Sequence, residues 1–386
     1  MEQKTIQLLF SLLRFAINGT PMGDEEKALY SEERLPELLE IAKKHDLLHL
    51  VCLGLKQNFP VHRNDVDMKK SIISAVYRYE QQNFELNRMC DALEQAKIPF
   101  MPLKGSVIRR YYPEPWMRTS VDIDVLVHEA DAECAAAVLV ETCGYEYLHK
   151  GGHDIGMATP GRKNIELHYN LIDDGLANRS SVVLKAVWDT SRIRDGYGYW
   201  NQMPDEMFYF YHIAHMAKHV EFGGCGIRPF MDLWILDRME EADRPRRDEL
   251  LRQGNLLKFA ESARKLSAVW FGGQEMDPRS RQMEDYILRG GVFGNSENRI
   301  LVQQQKKGGK LRYVLSRVFL SYDEIKFLYP VLQRHRWLTP LMQFRRWLGW
   351  IWDGAGGTVL RKLKISTNVS TEQADSAKDF LNNIGL

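Results

Sequence analysis

The sequence predicts an α+β protein: a small mixed β-sheet with helices packed against it, flanked by N-terminal and C-terminal α-helical regions. Three observations carry that prediction. Apolar residues recur at helical spacing through the first 97 residues and again from Asp205 onward. Between them the texture changes to short extended runs, the first being Ile98-Pro99-Phe100-Met101-Pro102-Leu103. Within that middle stretch, Val121-Asp122-Ile123-Asp124-Val125 alternates apolar and acidic residues with the period of two that a half-buried strand requires.

At 386 residues the chain suits two or three packed units. The elements divide it into a helical region (1–97), an α/β core (98–204), a second helical region (205–365) and a polar tail (366–386). With 44% apolar and 27% charged residues it is a globular chain, which excludes intrinsic disorder. A net charge of +1 argues against a surface that binds polyanions over the whole molecule, while leaving room for a local basic patch. Cys52, Cys90, Cys134, Cys143 and Cys225 are odd in number and contain no Cys-x-x-Cys pair, so reduced thiols and a cytoplasmic location are expected. No basic, apolar and small-residue signal segment opens the sequence. The apolar run Ile6 to Ile17 is short and carries Arg14, so it reads as a core helix and no transmembrane segment is expected.

In order, the first region predicts helices over 6–17, 35–56 and 66–96, separated by Asn58-Phe59-Pro60. Ser31 is an N-cap candidate, and Pro36 fits only a first turn. This region reads as bracing for the α/β core. The run 98–103 predicts a strand, Lys104-Gly105-Ser106 a tight turn, and 107–112 a short helix stopped by Pro113-Glu114-Pro115. Then come the acidic strand, a helix from 129 to 143 capped by Gly144, and a strand at 145–148 followed by a Gly-rich turn holding His153. Asn164-Ile165-Glu166-Leu167-His168-Tyr169 alternates as a strand, with Glu166 and His168 on one face. Helices are expected over 206–220, 229–240 and 256–271, with loops at Gly290-Gly291, Gly294 and Gly308-Gly309. The tail at 366–376 is polar and expected to be mobile, with Phe380 and Leu381 able to dock.

The chemistry concentrates in the middle. Asp122 and Asp124 point the same way from one strand, their Cα atoms roughly 6.5–7 Å apart, close enough to converge on one or two cations. Two such acids beside a buried face need a positive counter-charge, and a metal ion is the simplest one. If the strand at 164–169 lies alongside, Glu166 joins as a third acid. Upstream, Gly105 lets the backbone approach a ligand, Ser106 offers a hydroxyl and Lys104 a charge, a combination suited to an anion.

These residues carry a family resemblance. Leu103-Lys104-Gly105-Ser106, then Arg118 with Val121 to Val127, then Ile165-Glu166-Leu167-His168 resemble the DNA polymerase β-like nucleotidyltransferase superfamily, and within it the bacterial branch called uncharacterised nucleotidyltransferases. The likeness extends to His212, His215 and His219 and to Arg228 and Asp232, and covers about residues 35 to 240. The interval from Ser106 to Asp122 is longer than is usual there, so residues 112–116 must loop out. The resemblance implies a nucleotidyltransferase-type sheet and a two-metal transfer of a nucleoside monophosphate from a nucleoside triphosphate, ATP among them, to a hydroxyl acceptor. It implies Mg²⁺ or Mn²⁺ held by Asp122, Asp124 and Glu166, with Glu166 as third ligand or general base. Lys104, Gly105 and Ser106 would cradle the β- and γ-phosphates, with Arg118 a phosphate or structural partner.

Other residues have plainer readings beside the functional ones. His168 shares the face of Glu166 and could touch substrate, although a lone strand histidine is more often structural. His212, His215 and His219 lie near one helical face without an acid or cysteine to complete a zinc set. Arg228 and Asp232, four apart, suit an ion pair. Residues 306–364 mix Lys310, Arg312, Arg317, Lys326, Arg334, Arg336, Arg345 and Arg346 with Trp337, Phe344, Trp347, Trp350 and Trp352. That mixture suits a packed amphipathic helix first, and nucleic acid or a membrane surface second. Two rivals to catalysis on a small molecule, glycan precursor or protein therefore stand: a nucleotide-binding partner protein whose catalysis has decayed, and an RNA-modifying transferase.

Overall fold

The computed structural model describes residues 2–161, 163–171, 180–291, 310–352 and 371–386. The breaks expected at Gly294 and Gly308-Gly309 lie outside them, as do Lys306, Lys364 and residues 366–370. At the centre is a five-stranded sheet of β1 (Phe100–Pro102), β2 (Asp122–Val127), β3 (Glu146–Lys150), β4 (Asp154–Ala158) and β5 (Asn164–His168). Its spatial order is β1-β2-β5-β4-β3. β2 and β5 run parallel, and every other neighbouring pair is antiparallel, which makes the sheet mixed.

The alternation of β2 and β5 sorts their side chains between two layers. Ile123, Val125, Val127, Ile165 and Leu167 are buried with Ile155 and Met157 in a core closed by the helices Val66–Gln95 and Ala132–Cys143. Burying each of these aliphatic side chains is worth about 1.5–3 kcal/mol, enough in sum to hold acids on the opposite face. That opposite face carries Asp122, Asp124, Glu166 and His168, while Leu126, Met101 and Leu103 join a second, larger core. The second core is made of helices from both ends of the chain. Phe10, on the helix Gln3–Asn18, stacks on Trp270 of the helix Leu257–Gly272 with ring centroids 4.5 Å apart. The helix Thr371–Ile384, within the stretch read as a polar tail, packs there as well, with Ile384 buried and Phe380 4.8 Å from the ring of Tyr286.

Several local expectations need correction. The periodicity over 35–56 predicts one helix, but the chain forms Leu35–Lys44 and Leu48–Asn58, with Asp46 between them at φ 54°. The cause is tertiary, because Asp46 turns its carboxylate toward Thr119 Oγ1 (2.8 Å), Arg228 Nη1 (3.0 Å) and Arg78 Nη1 (3.2 Å). On the long helix, Leu86, Met89 and Leu93 are buried as the pattern implies, whereas Ile73, Tyr77 and Phe84 are exposed. Ser31 makes no side-chain cap at its helical turn. β4 carries little strand signal in its own residues, and it forms as an antiparallel partner to both β3 and β5. Among the C-terminal aromatics, Trp347 donates to the Val318 carbonyl (2.9 Å), while Trp337 and Phe344 are exposed. No helix among the described residues is long and apolar enough to cross a membrane.

The helical layer leaves a signature in acid. His49 is buried on Leu48–Asn58, its Nε2 2.9 Å from the Met117 carbonyl. Burial lowers its pKa to about 4, although the Met117 hydrogen bond and Asp46 pull the other way. A histidine with a depressed folded pKa contributes stability above its unfolded value near 6.5, and that stability is lost as pH falls through the folded value. The urea midpoint is therefore expected to drop between pH 6.5 and pH 4, with a His49 share of about 3 kcal/mol. In His49→Gln that slope should flatten, and an unchanged slope would assign the acid sensitivity elsewhere.

Candidate active site

The polar face of the sheet is assembled by register. The parallel pairing sets Asp122 opposite Asn164, Asp124 opposite Glu166 and Leu126 opposite His168. Two carboxylates side by side would repel each other, and a lysine and a histidine lie against them. Lys104 Nζ is 2.6 Å from Asp124 Oδ1 and 3.8 Å from Glu166 Oε2. His168 Nε2 is 2.9 Å from the same Asp124 oxygen and 3.2 Å from Glu166 Oε2.

The electrostatics follow from burial and these contacts. Burial disfavours the Asp124 carboxylate, but Lys104 and the His168 hydrogen bond outweigh it and hold its pKa far below the usual range. For Lys104, burial favours the neutral amine, yet Asp124, Tyr211 and Glu166 reverse that and raise its pKa. Burial likewise works against a charged His168, and the hydrogen bonds to Asp124 and Glu166 raise its pKa. Asp122 is raised by its own burial and by Glu166, so it is the more easily protonated of the strand's two acids.

Lys104 reaches Asp124 from a constrained turn. Its backbone sits at φ 46° and ψ −122°, a region that side-chain-bearing residues seldom occupy. The turn is pinned from below. Arg109 donates from Nε to the Gly105 carbonyl (2.8 Å) and from Nη2 to Ser120 Oγ (2.9 Å), and Gln82 donates to the Ser120 carbonyl (2.8 Å). A Cβ at Gly105 would stand 3.2 Å from both Arg118 Nη1 and Ser120 Cβ, so this close approach suits glycine.

The acids, Lys104, Gly105 and His168 line one cavity of about 350 Å³. Its far wall is the helix Asp205–Glu221, which presents Tyr211, His215, Lys218 and His219. His215 is kept neutral, well below the usual histidine range, by burial and by the nearby Lys104 charge. His215 and His219 pair through their Nε2 atoms at 3.0 Å, while His212 Nε2 lies 2.9 Å from the Pro229 carbonyl.

The structure separates two residues from that group. Ser106 lines a neighbouring cavity of about 410 Å³ with Asn83, Arg110 and Trp200, not the one holding the acids. Arg118 borders the acid cavity, but its guanidinium grips Asp232, donating from Nε to Oδ1 (2.9 Å) and from Nη2 to Oδ2 (2.8 Å). Tyr112, in the looped-out interval, donates to the same Oδ1 (2.7 Å). The ion pair expected between Arg228 and Asp232 is thus replaced, because Arg118 takes Asp232 and Arg228 turns to Asp46 and the Thr119 carbonyl. The sequence reading missed Asp46, Gln82, Arg109 and Tyr211.

Among the described residues, one group offers metal-ligand atoms that all lie within 4.8 Å of one another, and it comprises Asp124, Glu166 and His168. Carboxylate oxygens and an imidazole nitrogen converging at this spacing fit a divalent cation. The model of a family described as uncharacterised nucleotidyltransferase matches residues 31–272, from just before the helix Leu35–Lys44 to the end of Leu257–Gly272. No curated protein and no solved structure matches the chain.

Proposed function

We infer that this chain, which belongs to the uncharacterised nucleotidyltransferase family, moves a nucleoside monophosphate from a nucleoside triphosphate to a hydroxyl acceptor. The observation that carries the reading is the in-register set Asp124, Glu166 and His168 with Asp122 beside it, on the face of the sheet opposite its apolar core and against the Lys104 turn. In the transfer the acceptor oxygen bonds to the α-phosphorus, the bond to the β-phosphate oxygen breaks, and pyrophosphate leaves. The acceptor proton needs a base at the cavity, and we assign that role to Glu166, which is about one-third exposed there.

Mg²⁺ or Mn²⁺ would be held by Asp124 and Glu166 with Asp122 at the rim, and when bound it would offset the charge on the phosphate oxygens. Lys104 supplies an ammonium that can pass from Asp124 to phosphate within the same cavity. Gly105 leaves the backbone open to the phosphates. Tyr211 and the neutral His215 face them from the helical wall and limit water there. Arg118 acts indirectly, by tying the segment before β2 to the helix Arg228–Leu236.

The test is incubation with labelled ATP, GTP, CTP and UTP in Mg²⁺ or Mn²⁺, alongside thermal melts. A nucleotide at about 100 times its Kd stabilises by about 2.7 kcal/mol and should visibly raise the melting temperature. Asp122→Ala is expected to lose labelled product. If no nucleotide moves the melt and Asp122→Ala matches the parent protein throughout, the reading fails.

A further inference from the structure

We propose that the helical segment 310–352 docks this protein on an anionic lipid surface. Trp337, Leu341 and Phe344 enter the interface, and the arginines beside them meet the headgroups. The proposal is independent of the transfer reading and concerns a different part of the chain.

Charge and apolar exposure coincide there. Residues 310–352 hold eight Lys and Arg against two acids, Asp323 and Glu324, a net of +6 in a chain whose total is +1. Of the nineteen large apolar side chains exposed among the described residues, seven lie in this segment. Trp337, in the turn Arg336–Leu338, is 76% exposed, and Leu341 and Phe344 on the helix Thr339–Trp352 are 57% and 55% exposed. Their spacing of four and then three residues puts them on one face.

That face is held outward. From the other side of the helix, Gln343 donates to the Leu320 carbonyl, and Arg346 (2.6 Å) and Trp347 (2.9 Å) donate to the Val318 carbonyl. The helix cannot roll its apolar stripe inward without breaking these bonds. Arg334, Arg336 and Arg345 flank the stripe, exposed and without an acidic partner among the described residues. The segment's two acids are already engaged, Asp323 with Lys326 at 2.9 Å and Glu324 in a capping box with Ser321.

A lipid surface answers both properties together. The acyl boundary takes aliphatic and aromatic side chains alike, while anionic headgroups take the arginines. Single-stranded nucleic acid would stack on Trp337 and Phe344 but gains nothing from Leu341. A second copy of the chain would bring like charges together. The adjoining stretch 353–370 carries Arg361, Lys362 and Lys364 against Asp353 alone, so its charge does not match the face either.

The experiment floats the full-length protein with vesicles of phosphatidylcholine, with and without about one-third phosphatidylglycerol. Binding to the anionic vesicles should be at least about tenfold stronger than to the neutral ones, and should weaken as salt screens the headgroups. Each cation at such a surface strengthens binding roughly fivefold, so Arg334→Gln/Arg336→Gln/Arg345→Gln should lose about 100-fold. Trp337→Ser/Leu341→Ser/Phe344→Ser should lose binding at every salt concentration. Lipids brominated on their acyl chains should quench tryptophan fluorescence in the parent protein, and less so in Trp337→Phe.

A parent protein that does not float with anionic vesicles, or that binds neutral ones equally well, overturns the proposal. Binding to a single-stranded RNA oligonucleotide but not to vesicles would give the face to nucleic acid and overturn it. A dimer that Leu341→Arg dissociates, again without vesicle binding, would give the face to a second copy and overturn it too. The parent-protein readouts need no substitution, so a poorly folding variant does not block the test. Each of these results leaves nucleotidyl transfer to be judged by its own assay.

Discussion

Asp124→Asn is expected to lower the rate of nucleotidyl transfer at least about 10³-fold, a loss of about 4 kcal/mol of transition-state stabilisation. The substitution keeps the side chain's shape and removes its charge from the most buried acid of the site, the one that both Lys104 and His168 contact. A structural cost accompanies the catalytic one, because Lys104 then keeps only Glu166, at 3.8 Å, as a nearby carboxylate. Removing one partner of a buried pair costs about 3–5 kcal/mol, and the remaining solvent access of Lys104 puts this case at the low end. Transfer rates and urea midpoints measured together separate the two effects. In Asp124→Asn/Lys104→Met the stability should largely return while transfer stays absent. A single variant that retains more than a tenth of parental activity would remove Asp124 from the reaction.

The second large effect concerns stability alone. Asp232→Asn should destabilise the protein by about 3–5 kcal/mol, because Arg118 loses its bidentate partner in a site where both groups are almost fully buried. Burial by itself would raise the Asp232 pKa, but Arg118 more than compensates and lowers it. A depressed carboxylate contributes stability above its unfolded pKa near 3.9, and loses it as pH falls through the lower folded value. The gap between parent and variant should thus be full at neutral pH and narrow below about pH 4. Arg118→Met/Asp232→Leu should cost less than Asp232→Asn, since it leaves no buried charge unpaired. Denaturant midpoints at pH 7 and pH 3.5 provide the comparison. A loss under about 1 kcal/mol at pH 7 would mean that water reaches Arg118.

Legibility in the sequence followed the range of the interaction. Alternation in Val121 to Val125 and in Ile165 to His168 sufficed to put four polar side chains on one face, because strand geometry is local. That β2 and β5 are parallel neighbours, with Asp124 level with Glu166, is a pairing choice that neither strand encodes alone. β4 gave a weak signal, since Gly156, Met157 and Ala158 lack the branched and aromatic residues that mark strands. Arg228 and Asp232 looked like partners at i and i+4, but such pairs are worth only about 0.2–0.5 kcal/mol. Buried partners brought in from other elements outcompeted that spacing. Asp46 offered one faint hint, being an aspartate after the last basic turn of a helix, a residue type that tolerates positive φ. Gln82 and Arg109 offered none, because their roles come from what packs over them.

The ion pairs that brace the site also govern the order in which it can be assembled. Arg118 and Asp232 are 114 positions apart, and Arg228 and Asp46 are 182 apart. During synthesis, every strand of the sheet leaves the ribosome before the helix Arg228–Leu236 exists. Until that helix arrives, Arg118 has no Asp232 and Asp46 has no Arg228, and closing such long loops carries an entropic cost that only the completed contacts offset. A chain ending before Arg228 would carry Asp122, Asp124, Glu166 and His168 but would strand a buried guanidinium beneath them. The acids of this protein are encoded early in the chain and held in place late.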